Sequence, residues 1–153
     1  MQVQFIHAAM SKTTYKLMAS DADLSGAFDV RRQVFVREQG ISEDLTFDNN
    51  ERDALHLVVN DGERVIGTAR VRFLGNNQAK LERMAVTKAF RNKGIGRGII
   101  AFLDEELRGK QVQQLVIHAQ EGAIAFYKSC GFLESGSPFF EAGIKHIKMF
   151  RRL

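Results

Sequence analysis

The chain has 153 residues, of which 44% are hydrophobic and 26% charged, a composition typical of a globular protein with one domain. Its apolar runs fall well short of the roughly 20 residues needed to cross a membrane as a helix. The net charge of +4 is too small to indicate a nucleic-acid partner, and the single cysteine, Cys130, excludes an internal disulfide and favours a cytoplasmic location.

The N-terminal third predicts an extension, a strand, a helix and a loop. Residues 1–12 lack the basic and apolar regions of a signal peptide, so we expect an N-terminal extension before a domain over 13–153. Thr13–Met18 reads as the first strand. An apolar stripe at helical spacing over 24–35 predicts a helix, and an acidic, polar loop over 41–50 follows it.

The middle of the chain predicts three strands in succession. Strand-like patterns run over 54–60 and 64–74, and Asp61-Gly62 between them is a typical hairpin turn. A second turn at 75–77 leads into a strand that ends at Val86. These three strands are therefore expected to pair in an antiparallel sheet.

The C-terminal half predicts two helices and three strands. The expected helices cover 94–108 and 121–129, and the expected strands cover 114–118, 132–134 and 144–150, with a loop holding Pro138 over 135–143. A strand, a helix and a strand in succession imply a right-handed parallel crossover. The whole order predicts an α/β fold in a single domain, with a mixed central sheet of about six to seven strands flanked by helices.

The junction between a strand and a helix within 81–102 carries the clearest chemical signal. An apolar run leads through a basic turn to Gly94-Ile95-Gly96-Arg97-Gly98, where helical spacing begins. The first amide N–H groups of a helix are unpaired and lie at its positive end, so they bind anions, and glycine lets a ligand approach the backbone. Arg91, Lys93 and Arg97 add charge suited to a ligand with several phosphates.

Two common phosphate-binding loops do not fit this junction. The P-loop string G-x-x-x-x-G-K-[ST] is absent, and a Rossmann G-x-G-x-x-G lacks its third glycine because Ile99 stands there. The string 91–96, RNKGIG, instead resembles the [QR]-x-x-G-x-[GA] pyrophosphate loop of the GNAT acetyltransferase superfamily. Residues 123–132, AIAFYKSCGF, are similar to its second signature, A-x-x-F-Y-x-x-x-G-F.

The resemblance extends over most of the chain. Segments 34–40, 53–58 and 140–146 are similar to the ElaA-like branch of small bacterial GNAT proteins. The resemblance implies acetyl-CoA as donor, with a primary amine of a small molecule or an exposed amine attacking directly in a ternary complex. No spacing of His, Cys and Asp residues indicates a metal site, so we expect no metal. The acceptor is not legible from the sequence, and a homodimer is left open.

The resemblance also implies which residues contact the donor. The backbone of Met84, Ala85 and Val86 is expected to pair with the pantetheine arm like an added strand. The pyrophosphate is expected to lie against Arg91, Asn92, Lys93, Gly94, Ile95, Gly96 and Arg97. Gln120 stands where many relatives carry an asparagine that contacts the cofactor, although it also reads as an ordinary polar residue before a helix.

Two residues are candidates for the general acid and the general base. By resemblance Tyr127 is the general acid, since a phenol stays protonated at neutral pH and can donate to a leaving thiolate. The alternative is a core tyrosine beside Phe126. Glu82 on the donor-binding strand is the candidate base, because partial burial could raise its pKa. It could equally pair with Arg72 or Arg83.

Four residues are candidates for the acceptor pocket, which is expected to form from 31–48 and 135–146. Glu38 and Glu141 could bind the acceptor, although each also reads as a surface or capping carboxylate. His56 and His146 could relay protons, although strand histidines such as these and His118 are more often hydrogen-bonded in a core.

Two other functions use the same features. An acyl-homoserine-lactone-synthase-like enzyme shares a similar first helix, but the intact 91–96 loop argues against it. A non-catalytic domain that senses acyl-CoA would keep the loop and need no acceptor.

Overall fold

The computed structural model describes residues 12–153, so the expected N-terminal extension lies almost wholly outside the described residues. The strands are β1 Thr13–Met18, β2 Leu55–Asp61, β3 Arg64–Gly75, β4 Gln78–Val86, β5 Gln114–Gln120, β6 Leu133–Glu141 and β7 Ile144–Arg152. The helices are α1 Ser25–Arg31, which continues as a π-helical segment Arg32–Glu38, then α2 Glu43–Thr46, α3 Ile95–Arg108 and α4 Ile124–Ser129. Short 3₁₀ turns, Lys88–Phe90 and Glu121–Ala123, precede α3 and α4.

All seven strands form one sheet in the order β1-β2-β3-β4-β5-β7-β6. Only β4 and β5 run parallel, since α3 connects them by a crossover, and every other neighbouring pair is antiparallel. This arrangement confirms the predicted α/β fold with a mixed sheet of about six to seven strands.

Helices cover both faces of the sheet. The apolar stripe of α3 is buried in the main core with Leu81 and Leu115, and complete burial of one such side chain stabilises the fold by about 1.5–3 kcal/mol. A second, smaller cluster joins Val34 and Phe35 of the π-helical segment to Ala85 of β4. The donor-binding strand predicted from the sequence is therefore held between two packed layers.

The C-terminal strands correct one prediction. The loop expected over 135–143 is wrong, because β6 continues to Glu141 and reverses through Ala142 and Gly143, whose φ angles are 50° and 73°. Pro138 is tolerated because β6 is an edge strand whose pairing with β7 is irregular between Ser135 and Phe139, where a missing N–H does not interrupt the ladder. This longer hairpin brings Glu141 into contact with His118 of β5.

Two smaller features also differ from the expectation. The acidic loop over 41–50 contains the short helix α2. The first helix ends as a π-helical segment, in which the Gln39 N–H donates to the Val34 carbonyl. Such segments are frequent at functional sites. Among residues 12–153, no helix has the length and apolarity needed to cross a bilayer.

Candidate functional site

The parallel strands β4 and β5 separate part of the way along the sheet. Their pairing joins residues 78–81 to 114–117 and stops there. Just beyond this point Arg83 has a φ of 52°, and β4 contains one more residue than β3 before the next paired position. Such a β-bulge bends a strand and increases its twist. The bulge therefore turns 84–86 away from β5 and opens a fork in the sheet.

A cleft of about 1040 Å³ fills this fork. It is lined by β4, β5, the π-helical segment and the start of α3. The predicted site residues that line it are Glu82, Met84, Val86, Arg91, Asn92, Gly94, Ile95, Gly96, Arg97, Gln120, Tyr127, Glu141 and His146. The predicted residues outside the lining are Glu38, His56, Ala85 and Lys93.

The glycine-rich junction opens the start of α3 to the cleft. Gly94 has a φ of 82°, a left-handed conformation that strains residues with a Cβ. A Cβ at Gly96 would lie 3.0 Å from Phe126 Cζ and 3.5 Å from Met84 Cε, so a larger residue would close this end of the cleft. Within the described residues no side chain caps α3. Its first amides are therefore available to an anion in the cleft.

Three cationic residues surround this junction in different ways. Arg91 donates from Nε to the Val86 carbonyl at 2.9 Å and pairs through Nη2 with Glu38 Oε2 at 2.9 Å. Arg97 donates to Ser129 Oγ at 2.7 Å. Lys93 lies over the Phe90 ring, outside the cleft lining, with Nζ 5.4 Å from the ring centroid. Glu38 thus sits at the rim, where its contact is with Arg91.

Tyr127 packs against the core and also lines the cleft. Its ring meets the rings of Phe126 and Phe132 edge-on, with centroids 5.2 and 5.6 Å away. Its hydroxyl lies 4.0 Å from Met84 Sδ, a weak acceptor, so it remains available to a stronger one. Burial raises the pKa of Tyr127 to about 12, so the hydroxyl stays protonated at neutral pH.

Glu82 lines the cleft and is held there by three cations. Its Oε1 accepts a hydrogen bond from Arg72 Nη2 at 2.8 Å and lies 3.2 Å from Lys80 Nζ, and its Oε2 contacts the buried Arg70. Burial alone would raise the pKa of Glu82, but the hydrogen bond from Arg72 and the charge of Arg70 lower it to about 2. The expectation of a raised pKa is wrong, and the pairing with Arg72 kept as its alternative is confirmed.

A buried ionic network joins this strand to the acidic loop. Arg70, 1% exposed, donates to Asp48 Oδ1 at 2.6 Å and also contacts Glu51. Arg31, fully buried, donates to Glu51 Oε2 at 2.6 Å. Sequence reasoning missed this network, although the position of Arg31 within the apolar stripe of the first helix was a signal for it. The network therefore neutralises Asp48 of the acidic loop and Glu51 just after it.

His56 belongs to that network and lies outside the cleft. It is fully buried, with Nε2 2.8 Å from the Glu51 carbonyl and Nδ1 3.3 Å from Arg31 Nη2. Burial lowers the pKa of His56, which favours a neutral ring at physiological pH. The expectation that it contributes to the acceptor pocket is therefore corrected, because both ring nitrogens are used inside the core.

The bulged residue Arg83 connects β4 to the acidic loop. Its guanidinium donates to the carbonyls of Thr46 and Leu45 at 2.9 and 3.1 Å, which are the last carbonyls of α2. It also lies 3.3 Å from Asp48 Oδ2. Although burial opposes it, the hydrogen bond from Arg70 lowers the pKa of Asp48. The acidic loop is therefore fixed against β4 and forms one wall of the cleft.

The opposite wall carries the other polar groups. His118 Nδ1 lies 2.8 Å from Glu141 Oε1, and its ring meets Phe139 edge-on at 4.9 Å. His146, 8% exposed, donates from Nδ1 to the Ile144 carbonyl at 2.7 Å. Gln120 Nε2 donates to Gln39 Oε1 at 2.9 Å and so connects β5 to the end of the π-helical segment.

Comparisons with known proteins agree with this geometry. Residues 11–153 match the family model described as acetyltransferase (GNAT) domain. The chain is 35% identical over 133 residues to the uncharacterized N-acetyltransferase YjcF of Bacillus subtilis (strain 168), covering 86% of this chain and 94% of that protein. Its fold is similar to that of Escherichia coli ElaA, with a TM-score of 0.80, 21% identity and coverage of 92% and 99% of the two chains. It is also similar to a GNAT family acetyltransferase from Elizabethkingia anophelis with acetyl-CoA bound, with a TM-score of 0.71, 16% identity and coverage of 92% and 98%.

Proposed function

The chain belongs to the GNAT acetyltransferase family, and we propose that it transfers an acetyl group from acetyl-CoA to a primary amine within a ternary complex. The observation that carries this proposal is the fork between β4 and β5, which combines an uncapped helix start with a free strand edge and a partly buried tyrosine. An acyltransferase needs a site that anchors the acyl-CoA, a hydrogen-bond donor that polarises the thioester carbonyl and a group that protonates the departing thiolate.

The diphosphate of the donor would bind at the start of α3. The amides of 94–97 open into the cleft, and Arg91, Asn92 and Arg97 line it beside them. The dipole of a helix contributes only about 0.3–1 kcal/mol per anionic group, so the neighbouring cations are needed for a ligand with several phosphates. The bound acetyl-CoA in the Elizabethkingia neighbour supports this choice of ligand.

The acetyl-bearing arm would lie along the free edge of β4. Beyond the last pair with β5, the backbone of Met84, Ala85 and Val86 can pair with an extended ligand as a strand would. One amide directed at the thioester carbonyl can stabilise the developing oxyanion by about 2.7–4 kcal/mol. Ala85 contributes only backbone, because its side chain is buried in the smaller cluster.

Tyr127 would then act on the leaving group. Attack of the amine on the carbonyl carbon forms the C–N bond and breaks the C–S bond, which releases a thiolate. The Tyr127 hydroxyl is protonated, and among residues 12–153 its one hydrogen-bond contact is the weak one with the Met84 thioether, so it can donate to the thiolate sulfur. Glu82 stays a predicted base, but its three cationic partners and its low pKa count against that role.

The acceptor would enter between the acidic loop and the β6–β7 hairpin. Cationic and anionic side chains both line this part of the cleft, so its charge does not single out one class of amine. The lining includes Asp48, Arg72, Lys80, Glu82, Arg83 and Glu141. Glu141 and His146 retain their proposed place in the acceptor pocket, and Glu38 contributes through Arg91 at its rim.

A panel of amines with acetyl-CoA, read as free thiol, tests the proposal. Polyamines, amino sugars, aminoglycosides and peptide N-termini cover the main acceptor classes, and at least one should give amine-dependent thiol release. Binding of acetyl-CoA without turnover across the panel would instead support an acyl-CoA sensor. A shift of the melting temperature with an acylated carrier protein and S-adenosylmethionine, but none with acetyl-CoA, would support the lactone-synthase alternative.

A further inference from the structure

One histidine–carboxylate pair in the cleft has no role in the mechanism above. His118 Nδ1 and Glu141 Oε1 are 2.8 Å apart, and both residues line the cleft. We propose that His118, oriented by Glu141, is the general base that removes a proton from the ammonium group of the acceptor. This inference rests on the proposed acetyl transfer and adds to it the group that prepares the nucleophile.

The position of His118 in the sheet places it at the reaction centre. Leu81 and Ile117 form the last pair between β4 and β5, so His118 is the first residue of β5 beyond the point where the strands separate. Side chains alternate along a strand, and the neighbours Ile117 and Ala119 are buried in the main core. His118 therefore faces the other side of the sheet, where it lines the cleft across the fork from Glu82.

The contacts of His118 select one tautomer and hold the ring. A carboxylate only accepts, so Nδ1 carries the hydrogen that is donated to Glu141 and Nε2 has a free lone pair. The ring of Phe139 meets the imidazole edge-on, with an interplanar angle of 75°. Within the described residues Nε2 has no hydrogen-bond partner. Nε2 can therefore accept a proton. The His118 side chain is 28% exposed, so a substrate in the cleft can reach it.

The other described histidines lack this combination. His56 is fully buried and uses both nitrogens within the ionic network. His146 is 8% exposed and its Nδ1 is bound to the Ile144 carbonyl two residues away in the same hairpin, with no carboxylate at either nitrogen. Glu82, the nearest alternative base, is surrounded by cations that hold its charge. His118 is therefore the group in the described part of the cleft best arranged to accept a proton.

The proton balance of the reaction fits this role. The acceptor ammonium loses one proton to His118 Nε2, and the neutral nitrogen attacks the thioester carbon with its lone pair. The imidazolium formed is stabilised by the Glu141 carboxylate and passes its proton to solvent. The second proton leaves the nitrogen for solvent once the C–N bond has formed, and a proton from solvent restores the Tyr127 hydroxyl that has protonated the thiolate. The products are the amide, the free thiol and one proton in solution.

Other charged groups share the cleft with His118 and belong in any interpretation of its pH dependence. On β3 and β4 these are Arg72, Lys80 and Glu82, which neutralise one another in part. On β7, His146 lines the cleft and Lys148 is the cross-strand neighbour of His118. Glu141 is the one of these groups in hydrogen-bond contact with the ring.

Two model acceptors separate proton removal from the rest of catalysis. Ethylamine is an ammonium ion at neutral pH and needs a base, whereas methoxyamine is already neutral and does not. General acid–base catalysis contributes about 10²–10⁴-fold, so His118→Gln should lower kcat/KM for ethylamine by about 100-fold or more and change the value for methoxyamine by less than about fivefold. Added imidazole should restore ethylamine turnover in His118→Ala. Calorimetry with acetyl-CoA should give the wild-type affinity in both variants, which shows that the donor site is intact.

Glu141 is tested as a positioning residue. Glu141→Gln keeps an acceptor for Nδ1 but removes the charge that stabilises the imidazolium, so kcat/KM for ethylamine should fall about tenfold while the value for methoxyamine changes by less than about fivefold. The matched control is Glu134→Gln, on the same strand, whose exposed carboxylate pairs with Lys128 at 3.5 Å outside the cleft lining. Glu134→Gln should leave kcat/KM unchanged for both ethylamine and methoxyamine.

The outcomes that overturn the inference differ from those that overturn the proposed function. Equal losses for both amines in His118→Gln, or no loss for ethylamine, would show that His118 does not act as the base. A wild-type protein that binds acetyl-CoA but turns over no amine, neither these two nor any member of the panel above, would instead remove the acetyltransferase proposal, and the base assignment with it.

Discussion

Replacing Glu82 with glutamine tests whether this carboxylate is an ion-pair partner or the catalytic base. In the structure it is 6% exposed and contacts Arg70, Arg72 and Lys80. A fall of the pKa of Glu82 from its usual 4.5 to about 2 corresponds to about 3 kcal/mol of stability at neutral pH. Arg70 retains Asp48 and Glu51 as partners in the variant. We therefore expect Glu82→Gln to lower the free energy of unfolding by about 2–3 kcal/mol.

The pH dependence of this loss follows from the direction of the shift. Because the pKa of Glu82 is lower in the folded protein, its contribution is complete above the unfolded value of 4.5 and disappears as the pH falls through about 2. The stability difference between wild type and Glu82→Gln should thus be largest at neutral pH, shrink below pH 4.5 and vanish near pH 2. Urea denaturation followed by circular dichroism measures it, with Glu134→Gln as the exposed control.

The kinetics of the same variant decide its catalytic role. If Glu82 is structural, kcat for ethylamine should fall by less than about tenfold, since the base is elsewhere. An unchanged urea midpoint at neutral pH would refute the ion-pair reasoning. A stable variant whose kcat falls about 100-fold or more would identify Glu82 as the base and displace His118 from that role.

Three further substitutions test other parts of the site. Tyr127→Phe removes only the hydroxyl, so kcat should fall about 100-fold while the acetyl-CoA Kd from calorimetry is unchanged, and full turnover would exclude the acid role. Gly94→Ala places a Cβ on a residue with a φ of 82°, so the free energy of unfolding measured in urea should fall by about 1–2 kcal/mol and acetyl-CoA should bind more weakly. A variant as stable as the wild type would contradict the strain argument. Glu38→Gln releases Arg91 from an exposed ion pair, so acetyl-CoA should bind up to about fivefold more tightly, as measured by calorimetry. Weaker binding would show that Glu38 instead orients Arg91 for the ligand.

The elements that sequence predicts well are those specified by local signals. Thr13–Met18 is a strand with the predicted bounds, and the Asp61-Gly62 hairpin and the glycine junction before α3 are confirmed. All three follow from short-range patterns, and the hairpin and the junction also have glycine at a turn. The fold follows from these elements because their order and spacing limit the topology, whereas the family is inferred from the resemblance of the motifs at 91–96 and 123–132.

Features that depend on tertiary contacts could not be predicted in the same way. Arg83 adopts a left-handed conformation usually taken by glycine or asparagine, so no residue type marked the bulge that opens the fork. Pro138 signalled a loop, but its place on an edge strand makes it compatible with β6. The contact between His118 and Glu141 depends on the length of that strand, so an error in one element concealed the pair.

The measurement that tests the central claim most directly is a crystal structure of the protein with acetyl-CoA. We expect the diphosphate oxygens within hydrogen-bond distance of the amides of 94–97, and the pantetheine arm paired with 84–86 along the free edge of β4. The acetyl group should then lie between Tyr127 and His118. Acetyl-CoA bound outside the fork, or a cleft that stays empty at millimolar ligand, would contradict the account.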